Sequence, residues 1–200
     1  MNLSFFNKKE KYQQEVNREI QIDILTPQNA NKIDELIRFW NNKDDILGLT
    51  SLEREPIRIY LNSLGGDLSS AITIMDAINL SKTPVYTFNI GITCKESFLI
   101  YIAGHKRFCY PNAIFIYSDS IFEKIEKNEN ESNFYNYSDM KTSQQNKIKF
   151  FILDKTKITE AQYDRYSKND WYFTADDAFK IHICNEISKN HYYYQKIKNK

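Results

Sequence analysis

The chain has 200 residues, enough for one domain whose core needs no disulfide or metal to hold it, so a small cross-linked scaffold is excluded. Its 27 Lys and Arg against 26 Asp and Glu leave a net charge of +1, which provides no global attraction to nucleic acid or to an anionic membrane. Five glycines, Gly48, Gly65, Gly66, Gly91 and Gly104, stand where average usage gives about fourteen, so each one points to a backbone requirement.

Taken in chain order, residues 1–17 contain no apolar run of signal-peptide length. Residues 19–25 (EIQIDIL) alternate apolar and polar side chains and stop at Thr26-Pro27, which predicts a half-buried strand. Ile33, Leu36, Ile37 and Trp40 then recur at helical spacing over residues 29–41, and the polar stretch 42–55 is expected to be a loop. Residues 56–62 predict a second strand. A turn through Gly65-Gly66 follows, with Asp67 as the N-cap of a helix carrying Ala71, Ile74, Met75 and Ile78. A third strand, VYTFNI, starts after Thr83-Pro84 and gives way at Gly91 to a helix ending at Gly104. A fourth is expected at 107–110 or at 114–117. Strands alternating with helices predict an α/β fold with right-handed crossovers and largely parallel pairing.

Residues 123–145 are polar and poor in aliphatic side chains, which predicts a solvated insertion, and 147–153 resume a helical pattern. Two short helices are expected at 159–166 and 174–181, each opened by a threonine. The closing HYYYQKIKNK has no ribonucleoprotein motif and is expected to be a solvated tail. The longest apolar stretch, residues 98–103, is far short of the roughly twenty residues that span a bilayer. Cys94, Cys109 and Cys184 are odd in number and form no CxxC pair. They are expected to be buried thiols in a reducing interior, with no structural zinc.

Separated segments in the right order resemble one family. PIRIYLNSLGG at 56–66 looks like the strand and Gly-Gly turn of the Clp protease proteolytic subunit, and GITCKESFLIYIAG at 91–104 has the length of its nucleophile helix. KRFCYPN at 106–112 resembles the strand that follows, and NDWYFTADDA at 169–178 is similar to the segment holding its aspartate. The resemblance covers about residues 19–190. It implies a single domain with the ClpP/crotonase-like α/β fold, a superhelix of β-β-α units, with an N-terminal segment 1–18, a handle insertion at 123–150 and a basic tail 191–200.

The resemblance also assigns the site. An oxyanion hole falls on Gly65, Gly66 and the amide of Glu96, where bare backbone N–H groups meet a helix start. The acid falls on Asp170, the nucleophile position on Lys95 and the histidine position on Ser118, so two of the three side chains of a Ser-His-Asp site are replaced. Lys95 is expected to face Gly65-Gly66 and to pair with Asp170. Ser97 and Cys94 are the alternative nucleophiles, but a shift of one or two residues turns a side chain about 100° or 200° around a helix. A Lys95 acting as base toward Ser118 or Ser97 is another arrangement, and among the histidines His105, His182 and His191 none has an obvious path to the site.

A non-catalytic subunit of an ATP-dependent Clp-type protease is therefore expected. It would assemble with itself or a catalytic paralogue in heptameric, stacked tetradecameric rings and receive unfolded polypeptide from an AAA+ ATPase unfoldase. ATP is used by that partner, and no cofactor, nucleic acid or membrane is implied for this chain. The location expected is cytoplasmic, or an organelle lumen or viral assembly. A serine endopeptidase with a rearranged nucleophile and a crotonase-type acyl-CoA enzyme are the alternatives.

Overall fold

The computed structural model describes residues 18–119 and 131–188, the stretch 131–137 in backbone only. The expected N-terminal segment, the start of the handle region and the basic tail lie outside the described residues, apart from Arg18.

β1 (Glu19–Ile22) leads to α1 (Pro27–Ile46), which opens as its sequence dictates, with Thr26 Oγ1 accepting the Asn29 N–H at 3.2 Å and proline in the first turn. The helix continues well past Asn41, into what composition marks as loop. The reason is a distant partner: buried Asp44 accepts from Arg18 Nη1 at 2.9 Å and Nη2 at 2.5 Å, and from Thr83 Oγ1 at 2.8 Å. The Arg18 guanidinium also lies 4.5 Å over Trp40. Arg18 accordingly holds the Asp44 carboxyl below its ordinary value, against the opposing effect of burial.

β2 (Ile57–Ser63) is followed by α2 (Leu68–Asn79), capped as expected by Asp67, whose Oδ2 accepts the Ser70 N–H at 2.7 Å. β3 is longer than VYTFNI and runs Val85–Cys94, so the helix expected from Gly91 begins only at Glu96, as α3 (Glu96–Ala103). Ile92 and Thr93 are β-branched and suit an extended strand. Gly91 marks a shift of register between β2 and β3, and a Cβ there would meet Asn62 Oδ1 at 2.5 Å. Both candidates for the fourth strand are strands, β4 (Lys106–Cys109) and β5 (Ile114–Tyr117). The region expected to be a solvated insertion is helical from residue 131, within α4 (Glu131–Lys155). α5 (Glu160–Tyr166), β6 (Trp171–Thr174), α6 (Ala175–Lys180) and β7 (Glu186–Ile187) complete the order, with capping boxes at Thr159 and Thr174.

The strands form one seven-stranded sheet with the path β1-β2-β3-β4-β7. All pairs along it are parallel, as the α/β pattern predicts. Besides β2, β3 serves two partners: residues 86–89 pair with β4, and Ile92 to Cys94 pair with β5. β5 then pairs with β6 in the one antiparallel ladder among the described residues, Tyr117 opposite Trp171. Ile57, Ile59, Leu61 and Val85 point into a core shared with Ala71, Ile74 and Ile78 of α2, and α3 is buried along its whole length. The other face of the sheet carries a half-buried aromatic row, with Tyr60 and Phe88 4.8 Å apart and Phe88 and Phe108 4.7 Å apart.

Candidate functional site

Where β3 ends the chain turns within one residue. Lys95 has φ 53° and ψ −117°, a backbone that side-chain-bearing residues rarely adopt, and the helix starts immediately after it. Strand, strained residue and helix make the elbow by which α/β hydrolases lift a nucleophile clear of the backbone. The elbow is held by the Lys95 N–H donating to Ile116 O at 2.8 Å and by the Phe98 N–H donating to Lys95 O at 3.0 Å.

Against it lies the turn after β2. Gly65 and Gly66 have φ of 104° and 156°, and a Cβ on Gly66 would come within 2.4 Å of Leu25 O. The turn is tied to that residue by an isolated bridge and by the Asp67 N–H donating to Leu25 O at 3.2 Å. A Cβ on Gly65 would stand 3.4 Å from Lys95 Cβ and only 2.2 Å from Glu96 Oε2. The turn and the elbow are therefore in direct contact, with Lys95 at a helix start beside Gly65.

Both turn amides have partners within the chain. The Gly65 N–H donates to Ser63 Oγ at 3.2 Å, and the Gly66 N–H donates to Glu96 Oε2 at 3.0 Å. Glu96 enters the site through its side chain, which is fully buried, whereas the sequence pointed to its amide.

Ser118 follows β5 and is buried. Asp170 directly precedes β6, whose first residue, Trp171, pairs with Tyr117, the residue before Ser118. The sheet thus brings the ends of β3 and β5 and the start of β6 together. The expected Lys95–Asp170 ion pair is not formed among the described residues. Asp170 is exposed, and a hydrated carboxylate gains little from such a pair.

The alternative nucleophiles are buried. Ser97 Oγ accepts the Cys94 N–H at 2.9 Å, and its one proton is shared between Cys94 O at 2.7 Å and Ser63 O at 3.1 Å. Cys94 closes β3 with 5% of its surface exposed. His105 lies at the opposite end of β3, beyond the far end of α3, where its Nδ1 accepts the Val85 N–H at 3.0 Å, on the order of 15–20 Å from the elbow by helix rise. His182 is exposed beyond α6, and His191 lies outside the described residues.

One residue that motif reasoning missed is Asp119. Its Oδ1 accepts from Tyr117 OH at 2.9 Å and Tyr163 OH at 2.6 Å, and its Oδ2 accepts from Ser167 Oγ at 2.7 Å. Its N–H donates to Ser167 O at 2.7 Å, so the chain just past Ser118 is fixed to α5 and its C-cap. Burial first, then the Asp119 carboxylate, push the Tyr163 hydroxyl well above its ordinary value.

Cys109 and Cys184 are buried with their Sγ atoms 3.1 Å apart, and Cys94 is buried and outside any disulfide. Among the described residues no cluster of three or more His, Cys, Asp or Glu is placed to hold a metal, and no helix is long and apolar enough to cross a membrane.

The profile of the family described as Clp protease matches residues 8–191. The ATP-dependent Clp protease proteolytic subunit 2 of Treponema denticola is 27% identical over 139 residues, 68% of this chain and 68% of that protein. Subunit 1 of Rhodopirellula baltica is 31% identical over 83 residues, 38% of this chain and 37% of its own length. The proteolytic subunit of Streptococcus mutans is 25% identical over 136 residues, 67% and 69% of the two chains. Since the match runs unbroken through turn, elbow and the β5–β6 pair, the chain belongs to the Clp protease family, a family of peptidases.

Proposed function

We propose that this chain is a non-catalytic, structural or regulatory subunit of a Clp-type protease complex. The observation that carries the reading is the elbow itself: the strained residue between β3 and α3 is Lys95, which has no hydroxyl or thiol to attack a peptide. Ser118 stands at the position the resemblance gives to the histidine, so the general base is missing as well. The buried, backbone-bonded hydroxyl of Ser97 argues against a relocated nucleophile.

In this reading the chain keeps the ClpP/crotonase-like superhelix, and α4, about 37 Å long by helix rise, is the handle by which two rings meet. Rings of seven copies, or of this chain mixed with a catalytic paralogue, stack into a chamber in the cytoplasm. The half-buried row Tyr60, Phe88 and Phe108 supplies an apolar face for an AAA+ unfoldase that delivers unfolded polypeptide.

The test is a fluorophosphonate probe and a fluorogenic peptide offered to the purified full-length chain. Neither labelling nor hydrolysis is expected. Stoichiometric labelling mapped to Ser97 would overturn the proposal.

A further inference from the structure

We infer that the Glu96 carboxylate is a resident occupant of the oxyanion hole, filling the place that a peptide carbonyl would take. The inference rests on the non-catalytic reading above and adds a third obstacle to hydrolysis, independent of Lys95 and Ser118.

The hole in this fold is a backbone feature, made by N–H groups at a glycine turn facing a helix start. The turn is intact here, but the Gly66 N–H donates to Glu96 Oε2 at 3.0 Å. That oxygen lies 2.2 Å from where a Cβ on Gly65 would be, so it is seated on the bare face of the turn. Glu96 is 0% exposed, and a carboxylate taken fully out of water costs several kcal/mol unless hydrogen bonds compensate it. A turn amide is such a donor, and the position at the first residue of α3 adds the favourable end of the helix dipole. Here a side-chain anion receives the kind of backbone stabilisation that a hydrolase reserves for a tetrahedral oxyanion. A carbonyl oxygen of a bound peptide would have to displace Glu96 and leave its charge buried without that donor.

Restoring Ser and His alone is therefore insufficient. The test compares the full-length Lys95→Ser/Ser118→His double variant with the triple variant that also carries Glu96→Met, by their rates of fluorophosphonate labelling. The triple variant is expected to label at least about tenfold faster, in line with the effect of a single oxyanion donor. Equal rates, including no labelling of either, would overturn the inference and leave the non-catalytic reading standing. Labelling of the native chain would overturn both.

A second measurement does not depend on catalysis. In Glu96→Ala the vacated turn is expected to bind acetate, seen as a saturable rise in Tm that chloride at the same ionic strength does not produce and that the native chain lacks. Identical responses to acetate and chloride would also overturn it.

Discussion

Asp119 collects three hydroxyls; the Tyr117 and Tyr163 hydroxyls lie 2.9 Å apart and could satisfy one donor between them, but the other and Ser167 Oγ would lose this acceptor if the carboxylate were removed. Asp119→Ala is expected to destabilise the fold by about 2–4 kcal/mol, since buried donors left unsatisfied cost more than the bonds contributed. A urea titration checks this, and a loss below about 1 kcal/mol would contradict the network. Gly66→Ala should lose about 2 kcal/mol or more, because the added methyl meets Leu25 O at 2.4 Å on a left-handed backbone. At this scale a family spacing singles out Lys95, Ser118 and Asp170, and the structure sets them at the end of β3, after β5 and before β6. Asp119 was not legible, because its partners Tyr163 and Ser167 lie 44 and 48 residues further on. The Glu96 side chain was hidden for a similar reason, since only the folded turn decides whether a buried glutamate faces an amide or the core.

Elements were legible where their own residues decide them. Asp67, Thr159 and Thr174 cap the helices they were expected to open, and β1, β2, α2 and α6 lie where alternation or helical spacing puts them. They were illegible where a distant partner decides. α1 outlasts its apolar stripe because Arg18 reaches Asp44, and β3 outlasts VYTFNI because β5 pairs with its second half. α4 shows the converse case: over 138–147 its residues are exposed or half-buried, so this part carries no strong apolar period to announce a helix, which the sequence signals only from 147 on. Arg107 of β4 is the clearest tie between elements. Its guanidinium donates to Ile183 O at 2.8 Å, His182 O at 2.8 Å and Lys155 O at 2.9 Å, joining the end of α4 to the segment after α6. Arg107→Lys keeps a charge but not the planar fork, and a drop of about 2–3 kcal/mol is expected by urea denaturation. An unchanged midpoint would mean that those carbonyls find other donors.

For the molecule as a whole, His105 sets a pH dependence. Burial lowers its pKa from the ordinary 6.5, and Nδ1 must stay unprotonated to accept the Val85 N–H. The unfolded chain therefore binds more protons just below pH 6.5, so stability is full above that value and falls as pH drops through it. The slope is bounded by about 1.4 kcal/mol per pH unit for one site. Asp44, lowered from 3.8, acts only in more acid solution, so the two windows separate. His105→Asn, which keeps an acceptor, should flatten the profile between pH 7 and 5, and an unchanged slope would exclude His105 as its source. Light scattering on the full chain is expected to return a multiple of 23.8 kDa, and a monomer mass would contradict ring assembly. The antiparallel pairing of β5 with β6 has one more consequence, which concerns time. β6 lies beyond α4 and α5 in the chain, so Asp170 can reach the end of β5 only after both helices have been made and the long loop has closed. Turn and elbow come from residues that leave the ribosome earlier, and Asp170 joins them late. A chain interrupted before β6 would carry the shape of a hydrolase cleft with its third wall still to arrive.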